Sequence, residues 1–114
     1  MSQLSDLQCK ATAADAALLS AEQIAELLPQ IPGWTTSNPG QILQLEKTFS
    51  FNSFVAAMDF ANQLSLIAEA NDHHPALLIQ YGSVTVNWWS HSIRGLHLND
   101  FILAAKTNKA YSSL

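Results

Sequence analysis

Three of the four histidines in this chain stand at two points where the regular pattern of apolar residues is interrupted. Two are adjacent in the segment Asp72-His73-His74-Pro75, and the third lies in Ser90-His91-Ser92. Imidazole titrates near neutral pH, so a group of histidines can both donate and accept a proton in one turnover. A single loop histidine is more often a solvated surface residue, but loops held by rigid elements commonly carry functional sites. We therefore predict proton-transfer chemistry at these two segments if the fold brings them together.

The helices that must position these loops can be predicted from caps and apolar spacing. Ser20 and Gln23 have the spacing of a capping box and are followed by apolar residues at helical intervals, which predicts a first helix. Asn52 or Ser53 can cap a second and longer helix that leads to the histidine doublet. A last helix is predicted to begin between residues 98 and 100, after the His91 segment.

The strands are predicted from alternation and turn residues. Residues 42–51 alternate between apolar and polar side chains, which indicates a strand with one polar face. Asn38-Pro39-Gly40 has the chemistry of a turn, so a short extended piece before it should form a hairpin with this strand. Residues 77–80 and 84–89, joined at Tyr81-Gly82-Ser83, predict a second hairpin.

The resulting order is α-β-β-α-β-β-α, which favours an α+β fold. We expect a four-stranded antiparallel sheet with three helices on one face, because hairpins need only short connections. Residues 1–18 are polar and rich in alanine without a sustained period, so they are predicted to be a poorly ordered leader outside the core. Residues 19–114 are predicted to form a single domain.

The spacing of distinctive residues from Glu69 to Asp100 closely resembles the signature of the pterin-4a-carbinolamine dehydratases. The matching pattern is Glu69-x3-His73-His74-Pro75-x5-Tyr81-x9-His91-x8-Asp100, with Gly95-Leu96 inside its last interval. The resemblance extends outward to other segments and covers about residues 19–110. These further segments are Leu19-Ser20-Ala21-Glu22, Ile31-Pro32-Gly33-Trp34 and the aromatic residues Phe49, Phe51, Phe54 and Phe60.

Two positions depart from the family pattern. His97 stands where many members have Ser or Thr at the start of the last helix, so this departure affects the cap of that helix. Trp88-Trp89 precedes the His91 loop, where smaller residues are frequent, and could reshape one wall of a pocket. The three tryptophans, which include Trp34, could stack on a flat ligand, although packing in the core or at a subunit interface is expected for two of them.

The resemblance implies dehydration of a 4a-hydroxytetrahydropterin to a quinonoid dihydropterin. In this step the pterin is recycled after an aromatic amino acid hydroxylase has used it. The 4a-hydroxyl group leaves poorly as hydroxide and needs a proton, while a proton on a ring nitrogen must be removed. An acid and a base are therefore required within reach of one bicyclic ring. The pterin is the substrate, and neither a cofactor nor a metal is expected.

The family pattern also implies roles for individual residues. Proton transfer is assigned to His73 and His91, and binding of the pterin mainly to His74. All three histidines are therefore expected to take part in catalysis. Substrate binding, or orientation of the imidazoles, is assigned to Glu69, Asp72, Pro75, Ser90 and Ser92. Asp100 is expected to be structural, because a carboxylate in the first turn of a helix is stabilised by the helix dipole. Which histidine acts as acid and which as base stays open.

Composition argues against several other classes of protein. The net charge is −4 with only five Lys and Arg residues, so direct binding to nucleic acid or to an anionic membrane is not expected. No stretch approaches the roughly 18 apolar residues of a membrane span, and no basic start followed by an apolar block marks a signal peptide. The single Cys9 cannot close an intrachain disulfide, is expected to be inert, and fits a reducing compartment. A cytoplasmic location is the resulting prediction.

Two alternatives fit part of the pattern. Three histidines and a carboxylate could ligate zinc in a metal hydrolase, but the doublet is adjacent rather than spaced i, i+4, and HExxH is absent. The second alternative is a non-catalytic protein-binding or dimerisation module of the same fold, since some members of the family that the chain resembles also bind transcription factors. The resemblance further implies a homodimer or a homotetramer. The side chain of the natural pterin is left open.

Overall fold

The computed structural model describes residues 3–10 and 16–114 of the chain. Its helices are α1 (Ala21–Leu27), α2 (Phe54–Asn71) and α3 (Leu98–Ser112), and its strands are β1 (Thr35–Ser37), β2 (Gln44–Ser50), β3 (Ala76–Gln80) and β4 (Ser83–Trp88). The strands form one antiparallel sheet in the order β1-β2-β4-β3. The predicted α+β class and the order α-β-β-α-β-β-α are therefore confirmed. No helix in this described part of the chain combines the length and the apolar character needed to cross a membrane.

Side-chain caps fix where the first two helices begin. The capping box predicted for α1 is present, because the Gln23 N–H donates to Ser20 Oγ at 3.2 Å and the Ser20 N–H donates to Gln23 Oε1 at 2.8 Å. Of the two residues predicted to cap α2, Ser53 does so by accepting the Ala56 N–H at 3.1 Å. Local sequence signals thus set the start of the helix that carries the histidine doublet at its far end.

One face of the sheet is apolar and packs against α2 and α3. The register pairs Phe49 with Val84 and Leu45 with Trp88, so the apolar sides of β2 and β4 face the same way. The largest fully buried side chains come from both layers and include Leu45, Phe49, Val84, Val86 and Trp88 from the sheet and Phe60, Leu64, Phe101 and Leu103 from the helices. The opposite face carries Thr48, Thr85 and Asn87. The alternation read from the sequence is therefore confirmed.

Residues 3–10 pack against α3, which differs from the loosely held leader expected from the sequence. Leu4 is buried in the hydrophobic core, within a short 3₁₀ turn at Leu4–Asp6. Lys106 Nζ on α3 donates to the Ser5 carbonyl at 2.9 Å. A single buried leucine produces no periodicity, so this anchoring leaves no signal in the sequence. For residues 1, 2 and 11–15, the expectation of a poorly ordered leader lies outside the described residues.

Gly33 has a backbone conformation that other residues adopt only at a cost. Its φ is +86°, and an added Cβ would lie 2.8 Å from Lys47 Nζ, an ammonium group that donates to Pro32 O at 3.0 Å and to Asn108 Oδ1 at 2.9 Å. We expect Gly33→Ala to lower the free energy of unfolding by about 2–4 kcal/mol, the sum of left-handed strain and a lost charged hydrogen bond. Gly40→Ala is the matched control, because Gly40 has φ +60° with nothing within 4 Å of an added Cβ. Equal losses for the two variants in urea titrations would show that the contact with Lys47 is harmless.

Candidate active site

A reversal of the chain at the end of α2 presents the histidine doublet. Asp72 follows the helix in the left-handed region with φ 48°, and the His73 N–H donates to the Ala68 carbonyl at 3.1 Å. Helices commonly end in this way, and aspartate is one of the residues that tolerate left-handed φ. The chain then passes His74 and the half-buried Pro75 before β3 begins at Ala76.

The loop that carries His91 is closed by two backbone hydrogen bonds. The Ser90 N–H donates to the Gly95 carbonyl at 2.8 Å, and the Gly95 N–H donates back to the Ser90 carbonyl at 3.3 Å. A Cβ on Gly95 would lie 2.6 Å from Cδ2 of the exposed Leu18 side chain, so a larger residue here would have to displace the end of that side chain. Ala76, at the start of β3, pairs with Asn87 near the end of β4. The doublet and the His91 loop therefore leave the sheet at the same end.

The two loops line one cleft of about 880 Å³. Of the residues predicted to form the site, those that line the cleft are Asp72, His73, His74, Ser90, His91 and Ser92. The cleft is also lined by residues that no sequence motif had marked as part of a site, namely Gln8, Cys9, Lys10, Ala70, Asn71 and Lys106. Within residues 3–10 and 16–114, no group of three or more His, Cys, Asp or Glu side chains is arranged to hold a metal ion.

Asp100 lies behind the cleft, completely buried, and accepts hydrogen bonds at both carboxylate oxygens. Oδ1 is 2.7 Å from His73 Nε2, while Oδ2 accepts the Ser90 hydroxyl at 2.8 Å and the His97 N–H at 2.9 Å. An ionised carboxylate can only accept, so His73 donates from Nε2, and Nδ1 of its neutral ring is an acceptor. Asp100 thereby fixes both the orientation and the tautomer of His73.

His91 and His74 lie on the exposed side of the cleft. His91 Nε2 is 3.1 Å from the His74 carbonyl oxygen, and because a carbonyl only accepts, Nε2 carries the proton and Nδ1 is the acceptor of the neutral ring. His74 Nε2 is 3.2 Å from Glu69 Oε2, with 54% of the histidine and 75% of the glutamate side chain exposed. Such an exposed pair contributes little to stability. Glu69 therefore contacts His74, whereas the histidines themselves line the cleft.

The three tryptophans have different environments. Trp34 and Trp88 are buried in the core, as predicted for two of the three. The Trp88 ring is stacked with His73 at a centroid distance of 6.1 Å. Trp89 is half-buried, and the centroid of its ring lies 4.3 Å from the centroid of the His91 ring. Both members of the Trp88-Trp89 pair thus contact histidines of the site.

His97 lies at the start of α3, where its imidazole acts as the helix cap. Its Nδ1 accepts the Asn99 N–H at 3.1 Å, while its own backbone N–H donates to Asp100. The unprotonated ring nitrogen supplies the acceptor that a Ser or Thr hydroxyl would otherwise provide. The start of α3 therefore stays capped although this position departs from the family pattern.

Cys9 is half-buried at the cleft, and its Sγ lies 3.8 Å from the Asn99 carbonyl oxygen. Burial raises the pKa of this thiol from 9.0 to about 11, with a lowering effect of Lys106 and a raising effect of Asp100. We expect alkylation by iodoacetamide at neutral pH to be about a hundredfold slower than for the unfolded chain, because the thiolate is the nucleophile. The rate should rise with pH until about 11. Equal rates in native protein and in denaturant would contradict this prediction.

Comparison with known proteins gives concordant results. Residues 17–110 match the family model described as Pterin 4 alpha carbinolamine dehydratase. A protein of Nitrosococcus oceani, named as a pterin-4-alpha-carbinolamine dehydratase, is 47% identical over 109 residues, which cover 96% of each chain. The crystal structure of a transcriptional coactivator/pterin dehydratase from Brucella melitensis is similar with a TM-score of 0.76 at 30% identity, covering 83% of this chain and 99% of that one.

Proposed function

The chain belongs to the pterin-4a-carbinolamine dehydratase family, and we propose that it converts a 4a-hydroxytetrahydropterin into the quinonoid dihydropterin by histidine acid–base catalysis. In this hydro-lyase reaction the bond from C4a to the hydroxyl oxygen and one ring N–H bond break, a C=N bond forms, and water leaves. The observation that carries the proposal is the convergence of His73, His74 and His91 on one cleft. The reaction would return pterin to use after an aromatic amino acid hydroxylase has oxidised it.

His73 is proposed as the general base. Its Nε2 is bonded to Asp100, which leaves Nδ1 to accept the proton from the ring nitrogen of the pterin. The imidazolium that forms would lie beside a buried carboxylate, and such a pair stabilises the protonated ring. The low exposure of His73, 9%, keeps this pair largely out of water.

His91 is proposed as the general acid. It is exposed, so it can take up a proton from solvent between turnovers. Its Nε2 is bonded to the His74 carbonyl, which leaves a protonated Nδ1 to donate to the departing hydroxyl group. The nearby ring of Trp89 limits the orientations available to His91. Proton donation at this oxygen allows it to leave as water rather than as hydroxide.

The remaining predicted residues are proposed either to contact the substrate or to position the groups that do. His74, Asp72 and Ser92 line the cleft with exposed side chains that can contact the pterin. The Ser90 hydroxyl proton is already donated to Asp100, so Ser90 acts through that carboxylate. Glu69 orients His74, and Pro75 restricts the backbone between the doublet and β3.

The alternative of a non-catalytic binding module accounts less well for the buried His73–Asp100 pair. Taking polar or charged groups out of water costs free energy, and replacing such a buried pair with apolar residues of similar volume is often neutral or stabilising. A purely structural descendant would therefore have no physical need for this pair, whereas an acid–base enzyme uses it to orient a proton acceptor. The Brucella melitensis protein carries both roles in its name, coactivator and dehydratase.

The decisive assay follows the loss of a freshly generated 4a-hydroxytetrahydropterin by stopped-flow absorbance, with and without the protein. We expect loss that is faster than the spontaneous reaction in proportion to protein concentration. Folded protein that gives no acceleration would reject the dehydratase function, and a search for protein partners would then test the binding-module alternative. A stoichiometric metal ion in protein purified without a histidine tag would favour the metal-hydrolase alternative.

We also propose that the protein forms a homodimer or a homotetramer. On α2, Val55 and Leu66 are 68% and 72% exposed, and Leu78 on β3 is 57% exposed. These three exposed apolar side chains are surface that a second subunit could cover. Light scattering that finds only a monomer at micromolar concentration would contradict this proposal.

A further inference from the structure

We propose that the segment Gln8-Cys9-Lys10 is the wall of the cleft that selects the substituent carried by the pterin ring. This inference rests on the proposed dehydratase function and names the part of the substrate that the sequence left open. The match to the family model begins at residue 17, so this wall lies outside the matched region. All three residues line the same cleft as the catalytic histidines.

The wall is held in a fixed position by the first turn of α3. The Lys10 N–H donates to Asn99 Oδ1 at 3.1 Å, and Asn99 Nδ2 donates back to the Lys10 carbonyl. Asn99 is only 3% exposed, and its carbonyl lies 3.8 Å from Cys9 Sγ. Asn99 immediately precedes Asp100, which orients His73. One helical turn therefore holds both the proposed base and the wall in position.

The cleft contains two of the five basic residues of the chain. Lys10 and Lys106 both line it, although the chain has only five Lys and Arg residues and a net charge of −4. The Cys9 thiol adds no negative charge at neutral pH, and burial raises its pKa further, from 9.0 to about 11. Ammonium groups donate strong hydrogen bonds to oxygen acceptors and offer nothing specific to a methyl group. The wall is therefore suited to a substituent that bears oxygen atoms.

The size of the cleft leaves room for such a substituent. Its volume of about 880 Å³ lies in the upper part of the roughly 300–1,000 Å³ range of small-molecule sites. A bicyclic ring placed against the histidines for proton transfer would fill only part of this volume, and the remaining space is lined by residues that include Lys10 and Lys106. The substituent of the ring is the part of the substrate that can reach this wall.

The test compares two 4a-hydroxytetrahydropterins, one with a dihydroxypropyl substituent and one with a methyl substituent, as the ratio of their kcat/KM values. Lys10→Met, which removes the ammonium group and keeps an unbranched side chain, is expected to lower this ratio about tenfold through loss of a charge-assisted hydrogen bond. Lys10→Arg should restore most of the ratio. Lys109→Met is the matched control, because Lys109 is also on α3 and ion-pairs with Asp6 of the N-terminal segment at 3.8 Å without lining the cleft.

The outcomes separate this inference from the proposed function. A lower ratio in Lys10→Met, with the wild-type ratio in Lys109→Met, supports the wall as a selector of substituents. An active protein whose ratio is unchanged in Lys10→Met overturns the inference alone, since a merely structural effect would change both substrates equally. A wild-type protein that turns over neither pterin rejects the proposed function and this inference together.

Discussion

Replacing His91 with alanine is expected to lower kcat for 4a-hydroxytetrahydropterin loss by about 10²- to 10⁴-fold, the usual contribution of a general acid. Without the imidazole, the departing oxygen must leave as hydroxide or take its proton from water. The residue is exposed and its ring makes a hydrogen bond only to the His74 carbonyl among the contacts of the described residues. The loss of stability should therefore be about 1 kcal/mol or less, and the fall in rate will report on chemistry.

A second histidine variant separates the loss of an acid from the loss of any imidazole. His97→Ser replaces a histidine outside the cleft with a residue that still offers a helix-capping acceptor. Stopped-flow traces of this variant should match the wild type. A fall of less than tenfold in His91→Ala, with the fold preserved by circular dichroism, would contradict the assignment of His91 as the acid. The proton would then have to come from His74 or from solvent.

Short-range sequence signals were sufficient to predict most of the fold. The capping box at Ser20 and Gln23, and the period-two alternation in β2 and β4, depend on neighbouring residues and recur in the structure as predicted. The spacing of the histidine doublet and His91 was likewise sufficient, with the family resemblance, to predict that these three rings share one site. Their convergence follows from the antiparallel pairing of β3 with β4, which places both loops at one end of the sheet.

Two parts of the site depend on tertiary packing that no local pattern reveals. Asp100 has the sequence position of an ordinary first-turn carboxylate, and its burial beneath His73 and Ser90 exists only after α3 packs on the sheet. The wall from Gln8 to Lys10 is placed by Asn99, a residue about ninety positions away, and by the burial of Leu4. Neither contact leaves a period or a motif in the segment itself. Contacts that appear only in the folded chain thus complete a cleft whose histidines were evident from the sequence.

Asp100→Asn is expected to lower kcat by about 10²- to 10⁴-fold while the fold persists, because the change moves the ring proton of His73 from Nε2 to Nδ1. The Ser90 hydroxyl and the His97 N–H both donate to Oδ2, so the single amide oxygen of asparagine should remain at that position. The amide NH₂ group then faces His73 Nε2, which must offer a lone pair and move its proton to Nδ1. The ring nitrogen left for the pterin becomes a donor, and it can no longer accept a proton.

The tautomer itself is the readout that a merely structural role would not change. Nitrogen-15 NMR of the His73 ring should show the proton at Nε2 in the wild type and at Nδ1 in Asp100→Asn. Asp59→Asn, the same substitution at an exposed position on α2, should leave both the tautomer and kcat at their wild-type values. If Asp100→Asn moves the proton to Nδ1 and kcat falls by less than about threefold, His73 is not the base. If both change together, the buried carboxylate acts by fixing which nitrogen of His73 accepts the proton.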